Sequence, residues 1–190
     1  MARNLYISDL HFGHKNILHY DNRPFSTVKD MEDALIENWT MHVESCDTVH
    51  ILGDFCWGNQ SEWARILQQL KGHKVLIRGN HDPVKMSDQV ARYLTCMGEY
   101  AEIDDAGRKV VLCHYPIVCF KNHFHGWYHL YGHVHNSFEA NMMEHDKRMM
   151  QELYEKECRM FNVGCMMPWM DYTPRTLDQI IAWKSGGGDE

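Results

Sequence analysis

The chain has 190 residues, 44% of them hydrophobic and 24% charged, a composition that excludes a disordered protein and suits one domain with its own core. Its 26 acidic and 19 basic residues give a net charge of −7, which disfavours a nonspecific nucleic-acid binder because such binding depends on neutralising phosphates. The seven cysteines are odd in number and include no CxxC pair, which disfavours a disulfide framework and a cysteine-based zinc site. Reduced thiols in a cytoplasmic protein are expected.

One domain is predicted over residues 1–184, followed by a flexible tail at 185–190, where three glycines and two acidic residues offer nothing to a core. The first residues contain no long apolar segment before a cleavage site, so no signal peptide is predicted. No uninterrupted apolar run approaches the about 18 residues that a membrane span needs. We therefore expect a soluble protein with no membrane partner.

Short apolar runs alternate with amphipathic stretches along the chain. In chain order, the pattern predicts a strand at 4–8, a helix at 28–44, a strand at 48–52, a helix at 60–70, a strand at 74–77, a helix at 86–95, strands at 109–113 and 127–131, and helices at 141–157 and 176–184. Thr176 is a suitable N-cap for the last helix. The alternation predicts an α/β layered fold, in which ligands bind beyond the carboxyl ends of the strands.

Each of the five predicted strands is followed directly by side chains that can bind a metal ion. In the order of the strands, these are Asp9 and His11, then Asp54, then Asn80, then His114, and finally His133 and His135. Carboxylates, imidazoles and amide oxygens hold Mn, Fe or Zn in hydrolases. Residues two apart in an extended segment point to the same side, so each closely spaced pair can serve one site. A lone histidine at a strand end is ordinarily structural, whereas the whole set predicts a metal centre.

The order of these motifs resembles the calcineurin-like metallophosphoesterase superfamily. The resemblance rests on Asp9-Leu10-His11, Gly53-Asp54, Gly79-Asn80-His81-Asp82, His114 and Gly132-His133-Val134-His135. It implies a four-layer α/β sandwich, with two packed mixed β-sheets flanked by helices. It also implies two divalent or trivalent metal ions, of which Mn, Fe, Zn and Ni are candidates. One would bind Asp9, His11, Asp54 and His135, and the other Asp54, Asn80, His114 and His133.

Two departures from the protein phosphatases of this superfamily narrow the resemblance. No second Asp and Arg follow Asp54, and Asp82 stands where those enzymes have Glu. The segments 11–17 and 22–25 are instead similar to small bacterial or phage-type phosphoesterases. The implied mechanism has a metal-bridging hydroxide attack phosphorus, while His81 protonates or stabilises the leaving oxygen and Asp82 orients His81.

Substrate contacts are predicted less directly, from residues that surround these motifs. The candidates are Arg78, His14, Asn16, Arg23, His123 and His125. Arg78 could contact phosphate or form a structural ion pair. His123 and His125 could line the substrate cleft or belong to an exposed loop. For the remaining candidates, structural hydrogen bonding is the alternative to a role in the cleft.

Several other residues are predicted to have packing roles. His50 and His129 lie inside strands and are predicted to be buried. Met142, Met149, Met150 and Leu153 recur at helical spacing, which favours a core-facing stripe over a lid or a dimer surface. Trp57, Trp127 and Trp169 are expected to pack in the core rather than to stack on a ring of the substrate.

The predicted function is a metal-dependent phosphoric ester hydrolase, a phosphodiesterase or phosphatase acting on a small phosphate ester, with nucleotide-derived esters among the options. A nuclease on the same scaffold is the alternative, although the acidic net charge and the absence of a basic run disfavour it. A catalytically silent interaction module is a third hypothesis. The intact ligand set disfavours it, because such a module should have lost ligands or His81.

Overall fold

A computed structural model describes residues 2–184, so the predicted tail at 185–190 lies outside the described residues. In chain order, the elements are β1 (Asn4–Ile7), α1 (Ile17–Tyr20), α2 (Val28–His42), β2 (Thr48–Ile51), α3 (Gln60–Leu67), β3 (His73–Leu76), α4 (Asp88–Ala91), β4 (Leu94–Cys96), β5 (Tyr100–Asp105), β6 (Arg108–Cys113), β7 (Tyr128–Tyr131), α5 (Phe138–Tyr154), β8 (Met160–Asn162) and α6 (Leu177–Lys184). A 3₁₀ turn at His123–His125 precedes β7.

The first sheet contains β1 to β4 in sequence order, and every neighbouring pair is parallel. Most side chains of β1 and β2 are buried because one face of the sheet meets helices and the other meets the second sheet, whereas β3 begins with the exposed His73 and the half-buried Lys74. Leu5 and Ile7 join the core formed with α2 and α3, whose buried residues include Met31, Leu35 and Trp63. All four strands run the same way, so their carboxyl ends share one edge.

The second sheet contains β5 to β8 in sequence order. β5 and β6 form an antiparallel hairpin whose turn residues Ala106 and Gly107 both have positive φ, at 53° and 85°. β7 and β8 then add in parallel. The predicted architecture of two packed sheets flanked by helices is confirmed, and the mixed pairing is confined to this second sheet.

The two sheets meet through side chains that alternate along their strands. Tyr6 points from β1 toward the second sheet, where its hydroxyl donates to Asp105 Oδ2 at 3.0 Å, and its ring stacks on His50. On β6, Val110 faces this interior, whereas Val111 faces a second apolar cluster under α5. His50 and His129 are buried, as predicted for packing residues.

Three parts of the element prediction need correction. The expected helix at 86–95 is only the four-residue α4, which is capped by Ser87, and the end of that segment belongs to the edge strand β4 (Leu94–Cys96). The strands β5 and β8 were not predicted. β8 has only three residues, and β5 alternates acidic with apolar side chains, so neither offers a run of apolar residues. Short edge strands acquire their identity from pairing rather than from local sequence.

The methionine stripe on α5 is not a core face. Met142, Met149 and Leu153 are 48%, 55% and 73% exposed, and Met150 alone of the four packs against the apolar cluster beneath. Trp57 also departs from its predicted core position, with 49% exposure, whereas Trp169 is buried and Trp127 is half-buried. The helix begins after the N-cap Ser137 and ends at Tyr154, three residues earlier at each end than expected. Within residues 2–184, no helix combines the length and apolar character needed to cross a membrane.

Asp47 ties the start of β2 to the first residues of the chain. Its carboxylate accepts the Arg3 backbone N–H at 2.9 Å, the Arg3 guanidinium at 2.6 Å and the Glu44 N–H at 2.9 Å. The hydrogen bonds from the Arg3 guanidinium lower the pKa of Asp47 from 3.8 to about 2. Because the folded pKa is depressed, this stabilisation is present above about pH 4 and is lost as the pH falls toward 2.

We expect Asp47→Asn to lower the free energy of unfolding at pH 7 by about 1–2 kcal/mol, after discounting for the exposed guanidinium. The difference from wild type should narrow as the pH falls below about 4, because the wild-type carboxylate is then protonated as well. Urea unfolding from pH 7 to pH 3 measures it. Asp33→Asn, which removes only an exposed pair with Lys29, is the control. A difference that stays constant with pH would contradict the assignment.

Candidate metal centre

The carboxyl ends of five strands deliver polar side chains to one site between the two sheets. β1 leads into Asp9 and His11, β2 into Asp54, β3 into Asn80, β6 into His114, and β7 into His133 and His135. Most of these side chains are withdrawn from solvent: Asp9, His11, Asp54 and His114 are at most 3% exposed. The structure therefore brings together all seven side chains that the sequence singled out as metal ligands.

One group of donor atoms surrounds the space between Asp9 and His11. The Nε2 atoms of His11 and His135 are 3.4 Å apart. His135 Nε2 lies 3.7 Å from Asp9 Oδ1, and His11 Nε2 lies 3.7 Å from Asp54 Oδ2. Burial and the neighbouring His135 lower the pKa of His11 far below its ordinary value, so His11 offers a free lone pair.

A second group lies on the other side of Asp54. Asn80 Oδ1 is 2.9 Å from His114 Nε2 and 3.1 Å from His133 Nδ1. His114 Nε2 is also 3.6 Å from Asp54 Oδ2. His114 Nδ1 donates to the Leu52 carbonyl at 2.8 Å, which leaves Nε2 free to act as a ligand. Asp54 Oδ2 thus faces both groups.

The geometry of both groups fits bound cations. Two ligands bonded at about 2.1 Å to the same ion lie about 3.0–3.5 Å apart, close to the separations found here. Asp54 Oδ2 is buried, and its distances to three imidazole nitrogens, between 3.6 and 4.0 Å, exceed hydrogen-bond length. Two sets of residues could hold an ion: Asp9 with His11 and His135, and Asp9 with Asp54 and His114. The mixed oxygen and nitrogen donors suit Mn, Fe or Zn.

Five of these seven residues adopt the left-handed backbone region. The φ angles are 56° for Asp9, 52° for His11, 53° for Asp54, 67° for His133 and 49° for His135. Such conformations cost about 1–3 kcal/mol each outside glycine and persist only where the surroundings enforce them. Here the loops hold one another, since the His11 N–H donates to the Asp54 carbonyl and the Asp9 N–H to the Gly53 carbonyl. Strain concentrated at one point is typical of a functional site.

Glycines let these strand-end loops approach one another closely. A β-carbon on Gly132 would lie 2.7 Å from Ser8 Cβ and would also overlap the Asp9 carboxylate. A β-carbon on Gly53 would lie 2.7 Å from Gly79 Cα. Any larger residue at these turns would push the strand ends apart.

The sequence predicts that Asp82 orients His81, but its carboxylate instead holds two of the loops together. Its carboxylate accepts the backbone N–H groups of Asp54, Phe55 and Gly79 at 2.9, 3.0 and 2.8 Å. Burial raises the pKa of Asp82, and these donors oppose the rise. The carboxylate sits below the donor cluster as a bracket between the turns after β2 and β3.

His81 has the exposure that a residue contacting substrate needs. Its side chain is 42% exposed, and Nε2 lies 4.0 Å from Asp54 Oδ2. Its backbone N–H donates to Asp54 Oδ1 at 3.0 Å, which fixes the base of the side chain against the donor cluster. The ring packs at 4.7 Å against the Trp57 indole.

Asp21 is a residue of the site that the sequence did not reveal. It accepts a 2.7 Å hydrogen bond from His135 Nδ1, which orients that ring and leaves Nε2 toward Asp9. Burial alone would lower the pKa of His135, but Asp21 and Asp9 outweigh it and raise the pKa. The only signal in the sequence was its position next to the conspicuous segment Asn22-Arg23-Pro24-Phe25, because no strand ends at Asp21.

Arg23 is a structural residue rather than a substrate contact. It is 4% exposed and donates to Asp21 Oδ2 at 2.9 Å and to the carbonyls of Asp9 and Leu10 at 2.8 and 3.0 Å. Burial lowers the pKa of Arg23, but Cys165 and Asp21 outweigh it and raise it, so the guanidinium stays charged. The guanidinium clamps the turn after β1 and holds Asp21 in place.

Three other candidate contacts lie away from the cluster. Arg78 pairs with Glu99 and donates to the Val84 carbonyl, which supports the structural alternative. His123 and His125 form the 3₁₀ turn before β7. His123 packs against Phe120 and Tyr154 at the far end of α5, so neither histidine lines the cavity at the donor cluster.

A cavity of about 540 Å³ opens over the donor cluster. It is referred to below as the tryptophan cleft, and its lining includes His11, His14, Asn16, Tyr20, Asp21, Trp57, His81, His133, His135 and Glu139. His14 and Asn16, two of the predicted contacts, therefore do face it. Trp57 stacks on His14 with ring centroids 4.1 Å apart and forms an aromatic wall beside His81.

We expect Gly132→Ala to lower the free energy of unfolding by about 1–3 kcal/mol, because the added methyl overlaps Ser8 and Asp9 in a packed interior. Chemical denaturation measures the loss. Gly107→Ala is the control: it meets no atom within 4 Å and pays only for its positive φ. A Gly132→Ala protein as stable as wild type would show that the turn after β7 is not closely packed.

Comparison with known proteins agrees with this geometry. The family model for the calcineurin-like phosphoesterase superfamily domain matches residues 3–179. An uncharacterised protein of Methanocaldococcus jannaschii is 40% identical over 183 residues, which cover 94% of this chain and 90% of that protein. The gene 66 protein of mycobacteriophage L5 is 35% identical over 85 residues, 43% of this chain and 41% of its own length.

Among solved structures, a protein of unknown function from Aquifex aeolicus superposes with a TM-score of 0.71 at 26% identity, covering 96% of this chain and all of the other. Its likeness extends over both sheets and supports the two-sheet architecture. The family model and the archaeal relative each span most of the described chain. The chain therefore belongs to the calcineurin-like phosphoesterase superfamily.

Proposed function

We propose that the protein is a phosphoesterase that depends on two metal ions and hydrolyses the phosphate ester of a small substrate. One observation carries the proposal. Seven nitrogen and oxygen donors from five strand ends converge around two buried carboxylates, Asp9 and Asp54, at the floor of an open cavity. A family member that had become a binding module would be free to lose this set, yet each position keeps a donor.

The residues that would hold the metals are Asp9, His11, Asp54 and His135 for one ion, and Asp54, Asn80, His114 and His133 for the other. Two cations held there would polarise the phosphoryl oxygens and lower the pKa of a water molecule beside phosphorus. The two buried carboxylates supply the negative charge that such cations need. The left-handed turns fix the donors before a substrate arrives, so little reorganisation is needed during the reaction.

His81 would act on the leaving group. Its exposed imidazole faces the tryptophan cleft, and its backbone is fixed to Asp54. A proton donated from this ring to the departing oxygen avoids an unstable alkoxide. Trp57 packs against the ring and limits its movement.

We expect the purified protein to hydrolyse bis-p-nitrophenyl phosphate or p-nitrophenyl phosphate when Mn²⁺, Fe²⁺, Zn²⁺ or Ni²⁺ is added back after chelation. Asp54→Asn should abolish the activity because the side chain between the two donor groups loses its negative charge and keeps only one oxygen. His81→Ala should lower kcat by about 10²–10⁴-fold on an ester with an alkyl leaving group, the usual contribution of a general acid, and by much less on the p-nitrophenyl esters, whose phenolate leaves without a proton. Release of p-nitrophenol measures the aryl esters, and release of phosphate from glycerol phosphate measures the alkyl ester.

Asp33→Asn and His145→Ala, at exposed positions on α2 and α5, are matched controls and should behave as wild type. Elemental analysis should find two metal equivalents in wild type and fewer in Asp54→Asn. A folded protein that binds metal but cleaves neither ester with any of the four ions would refute the proposal and favour the interaction module. Cleavage of plasmid DNA in preference to both esters would favour the nuclease alternative.

We expect Asp21→Asn to weaken metal binding by about 10- to 100-fold, because the orienting charge behind His135 is lost. Competition with a fluorescent chelator for Mn²⁺ or Zn²⁺ measures the affinity, and Asp33→Asn again serves as control. The amide oxygen can still accept the hydrogen bond from His135, but the buried ion pair with Arg23 is lost as well, so circular dichroism must first show that the variant is folded. An unchanged affinity would mean that Asp21 contributes to packing alone.

A further inference from the structure

A second cleft opens on the other side of His133. It has a volume of about 280 Å³ and is called the tyrosine cleft below; its lining is Tyr115, Pro116, His133, Val134, Glu139, Met142 and Met143. It shares His133, Val134 and Glu139 with the tryptophan cleft. The turn after β7 therefore forms a ridge with one cleft on each flank.

The position of this ridge defines the space around a bound phosphate. His133 Nδ1 lies 3.1 Å from Asn80 Oδ1, in the second group of donors. A phosphoryl group held at the donor cluster therefore has a cleft on either side. A phosphomonoester carries one organic substituent and would fill one of them, whereas a phosphodiester carries two.

The lining of the tyrosine cleft is suited to an uncharged ring or chain. Tyr115 and Met142 are 46% and 48% exposed, so both side chains are free to contact a ligand. An aromatic ring offers a flat apolar surface, and methionine adapts its shape to irregular partners. Glu139, in the first turn of α5, is an acidic side chain that lines both clefts. A second phosphate in either cleft would meet its carboxylate.

We propose that the preferred substrate is a phosphodiester with a single phosphate and two uncharged, aromatic or apolar substituents, one in each cleft. This inference rests on the proposed hydrolase function and narrows it. His81 lines the tryptophan cleft, so the substituent that leaves lies there, and the substituent that stays lies against Tyr115 and Met142. Water adds to phosphorus, the bond to the leaving oxygen breaks, that oxygen takes a proton, and a monoester remains.

The test compares three esters that all release p-nitrophenol from the metal-loaded protein. The organic substituent that remains on phosphorus is a second nitrophenyl group in bis-p-nitrophenyl phosphate and a methyl group in methyl p-nitrophenyl phosphate. In p-nitrophenyl phosphate, no organic substituent remains. Wild type should prefer the bis ester over the methyl ester by about tenfold or more in kcat/KM, as expected for burial of a ring. Both diesters should be cleaved faster than the monoester.

Variants in the tyrosine cleft separate binding from the intrinsic reactivity of the esters. The bis and methyl esters differ in chemical reactivity by the same factor in every variant, so a change in their kcat/KM ratio reports binding. Met142→Ala and Tyr115→Ala should each lower the ratio of bis to methyl ester by about fivefold. Tyr115→Phe keeps the ring and should restore the ratio. Met149→Ala, an exposed methionine of α5 outside both clefts, is the matched control.

The charge of Glu139 gives an independent measurement. Thymidine 3′-(p-nitrophenyl phosphate) should be cleaved faster than the same compound with an additional 5′-phosphate, because that phosphate would lie in the tyrosine cleft, which Glu139 lines. Glu139→Gln should reduce this preference at least threefold.

The outcomes are distinguishable. A ratio of bis to methyl ester that is the same in wild type, Met142→Ala and Tyr115→Ala would refute the tyrosine cleft as a substrate site, while hydrolysis itself would still support the proposed function. A preference for the monoester would likewise refute the diester assignment. Failure to hydrolyse any of the esters with any metal would refute the proposed function and this inference together.

Discussion

The structure depends on placing two carboxylates, Asp9 and Asp54, where water cannot reach them. An ionised carboxylate removed from water is stable only with charge or hydrogen-bond partners around it. Backbone N–H groups of His133 and His81 supply part of that compensation, and a ring of imidazole nitrogens surrounds the remaining oxygens. Metal ions would complete this compensation. The same ions would therefore stabilise the buried carboxylates and supply the proposed chemistry.

The need to bring these groups together explains why the turns have strained backbone conformations and contain glycine. The strand ends must converge closely enough for side chains from both sheets to share one point, which excludes a β-carbon at Gly53, Gly79 and Gly132. Five donors accept left-handed backbone conformations to aim inward. Hydrogen bonds that Asp82 and Arg23 form with the backbone of the same turns offset this conformational strain. The scaffold around the site is therefore stabilised from beneath, by polar groups that never meet the substrate.

Most of the strand ends could be predicted because two simple rules coincide there. Apolar runs identify buried parallel strands, and ligands gather at their carboxyl ends, so His114 and His133 could be assigned without coordinates. Asp21 escaped because it follows the short helix α1, and its relation to His135 arises from folding over 114 positions of sequence. Trp57 and the methionines of α5 were misassigned because helical or apolar patterning does not reveal which face lacks a partner. β8 was missed since three residues carry no periodicity.

The two walls of the site are built differently, and this bears on how such a site could diversify. His14, Asn16 and Tyr20 belong to the segment that also carries His11 and Asp21, so a change in that wall disturbs the donor cluster as well. The opposite wall comes from α5, which begins after His135 and contributes no donor. Sequence drift along α5 can reshape the site while the cluster stays intact. New specificities within this lineage should therefore arise first on the helix, with the segment after β1 held nearly fixed.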